Sequence, residues 1–504
     1  MMSPQQRIAV NMTAQYTRSF VSVLLALFST RLLLLALGQT DFGIYSVVAG
    51  VIALLSFVTN ALVTSTQRYL SYYCNQSDSA MQRTVFASSL LLHLLIGLAL
   101  LTGLLVLTSP IIRHLLVIDA GRMQAATVVY IVSAVTLLLN FLCAPFRAAF
   151  VAHENIVYIS IVDIIDAVLR LVIAVVLLRY HSDRLILYAV LLMGISLLNI
   201  LLIGGYSLYS FSETRALTPK YVTRSALKDI SSFIGWSMYS SACILVRTQG
   251  LAVIINRTFG TVANAAYGIA QQVINAVAFL TTAIFNAMNP QLMRAEGAGE
   301  RQKMISIALA ECKVSYLVML SVCVPLVTEM PEVLHLWLGE VPPYAVLLCR
   351  MVLIGCLIDQ LTLGLNAANQ ATGKIASYSL LVNTTKALTI PVAWWLAYRG
   401  ADITVLAICY IAFETICMLL RIPHLRFSAG ISVRLYAGQV ALPLLLPTLL
   451  VCAAAWLMRY ACEPSLWRLL LTLLATTGVW AAGTWLLALS ATERRTLLSI
   501  FHRA

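Results

Sequence analysis

LGQTDFGIYSVVAGVIALLSF (residues 37–57) and FGTVANAAYGIAQQVINAVAF (residues 259–279) read as two copies of one pattern. Gly38 meets Gly260, Tyr45 meets Tyr267, Ile52 meets Ile274 and Phe57 meets Phe279, each pair 222 residues apart. Apolar helices resemble one another by composition, so one match carries little weight. A second echo adds to it. FRAAFVAHENIVYIS (146–160) aligns with LNAANQATGKIASYS (365–379) at an offset of 219, and a three-residue loop difference absorbs the change. The chain therefore reads as a duplicated unit.

Composition identifies the solvent. Of 504 residues, 61% are hydrophobic and 11% charged, with mean hydropathy +0.90. Soluble domains sit near ~45–50% apolar and ~25% charged. The expected fold class is an all-α polytopic membrane protein. The start, MMSPQQRIAVNMTAQYTRSF, is polar, and no small-residue cleavage site follows the first apolar run. That run reads as a first span and not a cleaved signal.

Spans of about 20 apolar residues predict about fourteen helices. They fall near 15–37, 43–65, 85–108, 123–145, 157–179, 185–210, 232–256, 265–289, 306–328, 344–368, 375–398, 403–423, 435–458 and 466–489. Six spans per copy is an even number, so both copies insert the same way up. That gives a parallel repeat about an axis along the membrane normal. The expected organisation is an N-terminal lobe over 1–210, a linker over 211–231, a C-terminal lobe over 232–425, and two further helices with a tail over 426–504.

Alternate loops carry nineteen Lys and Arg on one side and eight on the other, which predicts that both termini are cytoplasmic. The net charge of +13 then reflects topology and attraction to anionic membrane lipids. With no soluble basic domain, nucleic-acid binding is not expected. The eleven cysteines are scattered singly, without C-x-x-C or Cys/His ligand spacing. Neither a metal nor a structural disulfide is expected.

Polar stripes point to wet faces. On the eighth span Asn264, Tyr267, Gln271, Asn275, Thr282, Asn286 and Asn289 fall within about 100° of one another. Seven polar groups through one span need water or a polar partner. The second span repeats part of the stripe with Tyr45, Asn60, Thr64 and Gln67. The first contributes Asn11, Gln15, Arg18, Ser22 and Ser29, and the seventh Ser237, Ser240 and Arg247. A polar cavity between lobes accounts for these faces. Interhelical hydrogen bonding is the alternative, above all for the Ser and Thr residues.

Charges inside spans are few, and each is expensive there. Asp163, Asp166 and Arg170 stand at i, i+3 and i+7 on the fifth span. Asp166 and Arg170 form an i,i+4 couple expected to be an internal ion pair. Arg247 has no acid within four positions. Arg31 lies about 160° around its helix from the Gln15–Arg18–Ser22 stripe. It either pairs inside the lobe, with Asp163 or Asp166, or reaches the cavity through a distorted helix.

LGQTDFGIYSVVAG followed by TSTQRYLSYY (64–73) resembles the first two spans of bacterial polysaccharide transporters, the Wzx-type flippases of the MOP exporter superfamily. PFRAAFVAHENIVYIS resembles that family's fourth-to-fifth helix junction, and NAANQATGK the counterpart in the second half. The resemblance covers about residues 10–425. It implies two six-helix lobes of MATE-like fold that alternately open to each side of the bacterial inner membrane. The implied cargo is an undecaprenyl-pyrophosphate-linked oligosaccharide for surface polysaccharide synthesis. Partners would be the polymerase and glycosyltransferases of that pathway. Cavity cations for the pyrophosphate would be Arg18, Arg68, Arg247 and Arg31, since arginine suits bidentate phosphate contacts. Gln15, Tyr45, Asn60, Tyr267, Gln271, Asn275 and Asn286 would suit sugar hydroxyls. No catalytic residue, metal or cofactor is implied. Coupling to H+ or Na+ stays open, with Asp163, Asp166, Arg170 and Asp359 as ion-coupling groups or lobe ion pairs. A cation-coupled multidrug exporter is the first alternative. A membrane polymerase or ligase is the second, disfavoured because the longest outer loop, EMPEVLHLWLGEVPP (329–343), is short.

Overall fold

The computed structural model describes residues 4–53, 55–74, 79–115, 120–216, 218–490 and 493–494. Helices carry the whole architecture, and strands are absent among the described residues. Nine described helices are long and apolar enough to cross a membrane, and the pair Ala345–Gln360 and Leu363–Thr372, bent by 51°, makes a tenth. Ile156–Arg179 holds Asp163, Asp166 and Arg170, and a π-helical turn at Ser379–Asn383 divides residues 375–398.

The duplicated pattern appears in the backbone. Gly38 (φ 76, ψ 171) interrupts Pro4–Ala53, and Gly260 (φ 84, ψ −177) interrupts Arg224–Gly297. Only glycine enters that region without severe strain, so each copy places its break at the same sequence position. The second echo matches too. Glu154 (φ 59) and Gly373 (φ 75) both adopt the left-handed conformation, 219 residues apart.

Contacts divide the chain into Arg7–Ser241, and Ala242–Ala504 with Met1–Gln6. Residues 224–241 belong to the first unit because Ile230 and Ile234 pack with Val58, Leu62, Phe86 and Phe141. In the second unit the last two long helices, Leu442–Ala461 and Leu466–Gly483, join the core around Arg301–Thr328. Trp480 Nε1 donates to the Leu317 carbonyl at 2.8 Å. Arg468 bonds to buried Glu329, with Nε to Oε2 at 3.0 Å.

Arg147 lies within Met123–Ala152, and Arg421 within Ile403–Ser428, where it is buried.

Candidate functional site

In the first unit, helix spacing puts Asp163, Asp166 and Arg170 on neighbouring turns of Ile156–Arg179. Arg18, from Pro4–Ala53, donates from Nη1 to Asp163 Oδ2 at 2.6 Å. Arg147 donates from Nη2 to Oδ1 at 2.7 Å and Oδ2 at 3.0 Å. Both oxygens of Asp163 are thus engaged by arginines other than Arg31, whose side chain lies outside the described residues. Arg18, expected as a cavity cation, is an ion-pair partner, because folding brings it an acid 145 residues away.

The Asp166–Arg170 couple is present, Nε to Oδ2 at 2.5 Å, and Asn199 Nδ2 donates to the other Asp166 oxygen at 2.9 Å. Arg170 lines a cavity of about 370 Å³ with Tyr45, Asn60, Thr136, Asn140 and Ser196. Among the described lining residues Arg170 carries the only formal charge. Tyr45 is fixed edge-on against Tyr188, ring centroids 4.8 Å apart. Tyr45 and Asn60, assigned from the stripe of the second span, therefore share one polar cavity inside this unit.

Arg68 and Gln15 are buried in the same unit. The Arg68 guanidinium lies 4.6 Å from the Tyr69 ring centroid and 5.1 Å from that of Phe233. The expected cavity cation is enclosed by aromatic faces, which stabilise a desolvated guanidinium through their quadrupoles.

The second unit gathers five charges. Glu414 and Arg421 stand two turns apart on Ile403–Ser428, hence on one face. Arg247 Nη1 bonds to Glu414 and sits over the Tyr410 ring, 4.8 Å from its centroid. Lys386 Nζ lies 2.9 Å from Asp359 Oδ1 and 3.3 Å from Glu414 Oε2. Arg421 Nη1 lies 2.8 Å from Asp359 Oδ1 and donates to Thr362 Oγ1 at 2.9 Å. Arg247, which has no acid within four positions of its own helix, is a paired and buried residue. Its acid comes from another helix, 167 residues on. Lys386, Glu414 and Arg421 were not among the expected site residues. A charge inside an apolar run was their one sequence signal, and for Arg421 its place near a helix end hid even that.

On the eighth-span stripe, Asn275 is exposed, and Gln271 and Asn286 are half-buried. Tyr267 departs from expectation. It is buried in the apolar core, its hydroxyl donating to the Thr248 carbonyl at 3.3 Å. The reason is angular: Tyr267 lies at the stripe's edge, about 40° from its nearest member at ~100° per residue. Glu311 is fully buried, and neither of its carboxyl oxygens has a hydrogen-bond partner among the described residues.

No family model matches the chain, and no curated protein matches it. Solved structures do. A MATE protein in complex with MaL6 superposes with a TM-score of 0.71 at 14% identity, covering 85% of this chain and 97% of that one. A MOP superfamily transporter from Pyrococcus furiosus Vc1, described as having a binding pocket of reverse polarity, gives 0.72 at 14%, covering 85% and 96%. An outward-facing multidrug resistance MATE family transporter gives 0.72 at 12%, again covering 85% and 96%. The protein thus has the MATE-type fold of two six-helix lobes, here with two C-terminal helices added. At this level of identity the likeness carries the fold alone.

Proposed function

We propose that this protein is a flippase for an anionic, lipid-linked oligosaccharide, working by alternating access in the bacterial inner membrane. The observation that carries the reading is charge balance. Arg18, Arg147 and Arg170 face Asp163 and Asp166, while Arg247, Lys386 and Arg421 face Asp359 and Glu414. Each set keeps one positive charge in excess. A cationic excess at membrane depth suits a pyrophosphate and opposes a cationic drug. The sequence resemblance to Wzx-type transporters supplies the cargo class, undecaprenyl-pyrophosphate oligosaccharide, and the pathway partners, a polymerase and glycosyltransferases. Tyr45, Asn60 and Asn140 offer hydrogen bonds to sugar hydroxyls.

The second reading is a cation-coupled multidrug exporter. It is favoured by the fold shared with a multidrug resistance MATE family transporter and by two acids inside the second unit. Deleting the gene separates the two. The flippase reading expects loss of surface glycan and accumulation of lipid-linked oligosaccharide, with drug susceptibility unchanged. Normal glycan with raised susceptibility to cationic drugs would overturn it.

A further inference from the structure

A second chemical centre stands outside the membrane-spanning segments of the first unit. Cys74 caps the end of Ser56–Tyr73, and His153 caps the end of Met123–Ala152. Glu213 begins the short turn Glu213–Arg215 in the loop after the sixth span. The fold brings the three together in line. Cys74 Sγ lies 3.8 Å from His153 Nδ1, and His153 Nε2 lies 2.5 Å from Glu213 Oε1. Phe211 stacks on the imidazole, centroids 4.2 Å apart and planes 5° from parallel, which fixes the ring's aim. Glu213 is almost fully buried, while Cys74 is half-buried and within reach of a small reagent.

We propose that Cys74 is a reactive cysteine, activated by the His153–Glu213 pair, and a site of oxidation by peroxide-class oxidants. A carboxylate at Nε2 favours the imidazolium, and its second N–H then faces the sulfur. An imidazolium beside a thiol stabilises the thiolate, the form that attacks. Burial opposes protonation of His153, but Cys74 and Glu213 outweigh it and hold the imidazole up at about 9. Burial likewise opposes ionisation of Glu213, and His153 outweighs it, with Arg83 adding a smaller favourable charge. In the reaction the thiolate sulfur attacks one peroxide oxygen. The S–O bond forms and the O–O bond breaks. The departing hydroxide takes the proton of the imidazolium and leaves as water. Cysteine is oxidised by two electrons to the sulfenic acid, and the peroxide is reduced. The product no longer pairs as an anion with His153, so oxidation loosens the tie between the two helix ends. The inference is independent of the cargo.

The test uses the full chain in detergent, alkylated with iodoacetamide from pH 5.5 to 9, with each cysteine quantified by peptide mass spectrometry. Cys462, half-buried at the end of Leu442–Ala461, serves as comparator. Near pH 6.5 Cys74 should react on the order of 10-fold faster than Cys462, and its inflection should lie below the ordinary thiol value of ~8.5. His153→Gln should move the inflection up toward that value. Glu213→Gln, a milder change, should move it part of the way. Hydrogen peroxide should give a dimedone adduct at Cys74 that is lost in Cys74→Ser. An inflection at Cys74 that matches Cys462, or one that neither His153→Gln nor Glu213→Gln shifts, overturns the proposal.

Discussion

In the unit of Arg7–Ser241 three arginines meet two aspartates, and in the unit of Ala242–Ala504 two arginines and a lysine meet an aspartate and a glutamate. The make-up is the same, but the surroundings are not. Arg18, Arg147 and Arg170 have side chains 26%, 32% and 47% exposed. Arg247, Lys386 and Arg421 are 7%, 7% and 6% exposed. Asn140 lines the cavity of the first unit, while Asp359, the position 219 residues on and itself 26% exposed, pairs with the buried Lys386 and Arg421 of the second. One scaffold has thus been used twice, once with room beside its charges and once with the room filled by them. Charges that retain solvent tolerate a lost partner. Charges that have surrendered it do not.

The largest effect should follow from Glu414→Gln. It leaves Arg247 buried without its carboxylate, at a cost of about 3–5 kcal/mol, and the unfolding midpoint in detergent should fall sharply. Combining it with Arg247→Gln should restore most of the loss. Glu311 sharpens the contrast, because it is buried without a partner among the described residues. Glu311→Gln should leave the midpoint unchanged or raise it, since no paired charge is lost.

A group that keeps solvent contact should also titrate. His153 is raised from 6.5 to about 9 in the folded chain. Its stabilising contribution is therefore complete below about 6.5 and lost as pH rises through about 9. The difference in unfolding midpoint between the wild type and His153→Gln should be widest near pH 6 and close by pH 10.

A smaller effect concerns the backbone. Glu154 holds a left-handed conformation that its counterpart Gly373 adopts freely. Glu154→Gly should stabilise by about 1 kcal/mol, and Gly373→Ala should destabilise by about as much. The smallest belongs to Arg147→Gln. Asp163 keeps Arg18, and the site retains solvent, so the cost should be about 1 kcal/mol or less, read from the same midpoint. A loss as large as that of Glu414→Gln would erase the distinction between the units.

Much of this was legible in the sequence. The offsets of 222 and 219 were legible because a repeat is a property of sequence order, but the glycine breaks and the left-handed turns that the paired positions carry were read only from the backbone. The Asp166–Arg170 pair was legible for a local reason, the geometry of one helical turn. Arg247–Glu414 and Arg18–Asp163 were not, since their partners stand 167 and 145 residues apart and meet only through packing. Tyr267 shows a finer limit. A stripe gives a helix face to within tens of degrees, and at its edge that margin separates core from surface.

The cluster of the second unit also has an electrical meaning. It holds five formal charges, yet they sum to one. One elementary charge crossing the full membrane field exchanges ~2.3 kcal/mol per 100 mV. If those helices shift together during a working cycle, the pairs travel as near-neutral dipoles, and only the surplus charge senses the voltage. A fraction of the field then gives a proportionally smaller energy. Internal pairing would then leave a cluster of five charges nearly blind to the membrane potential.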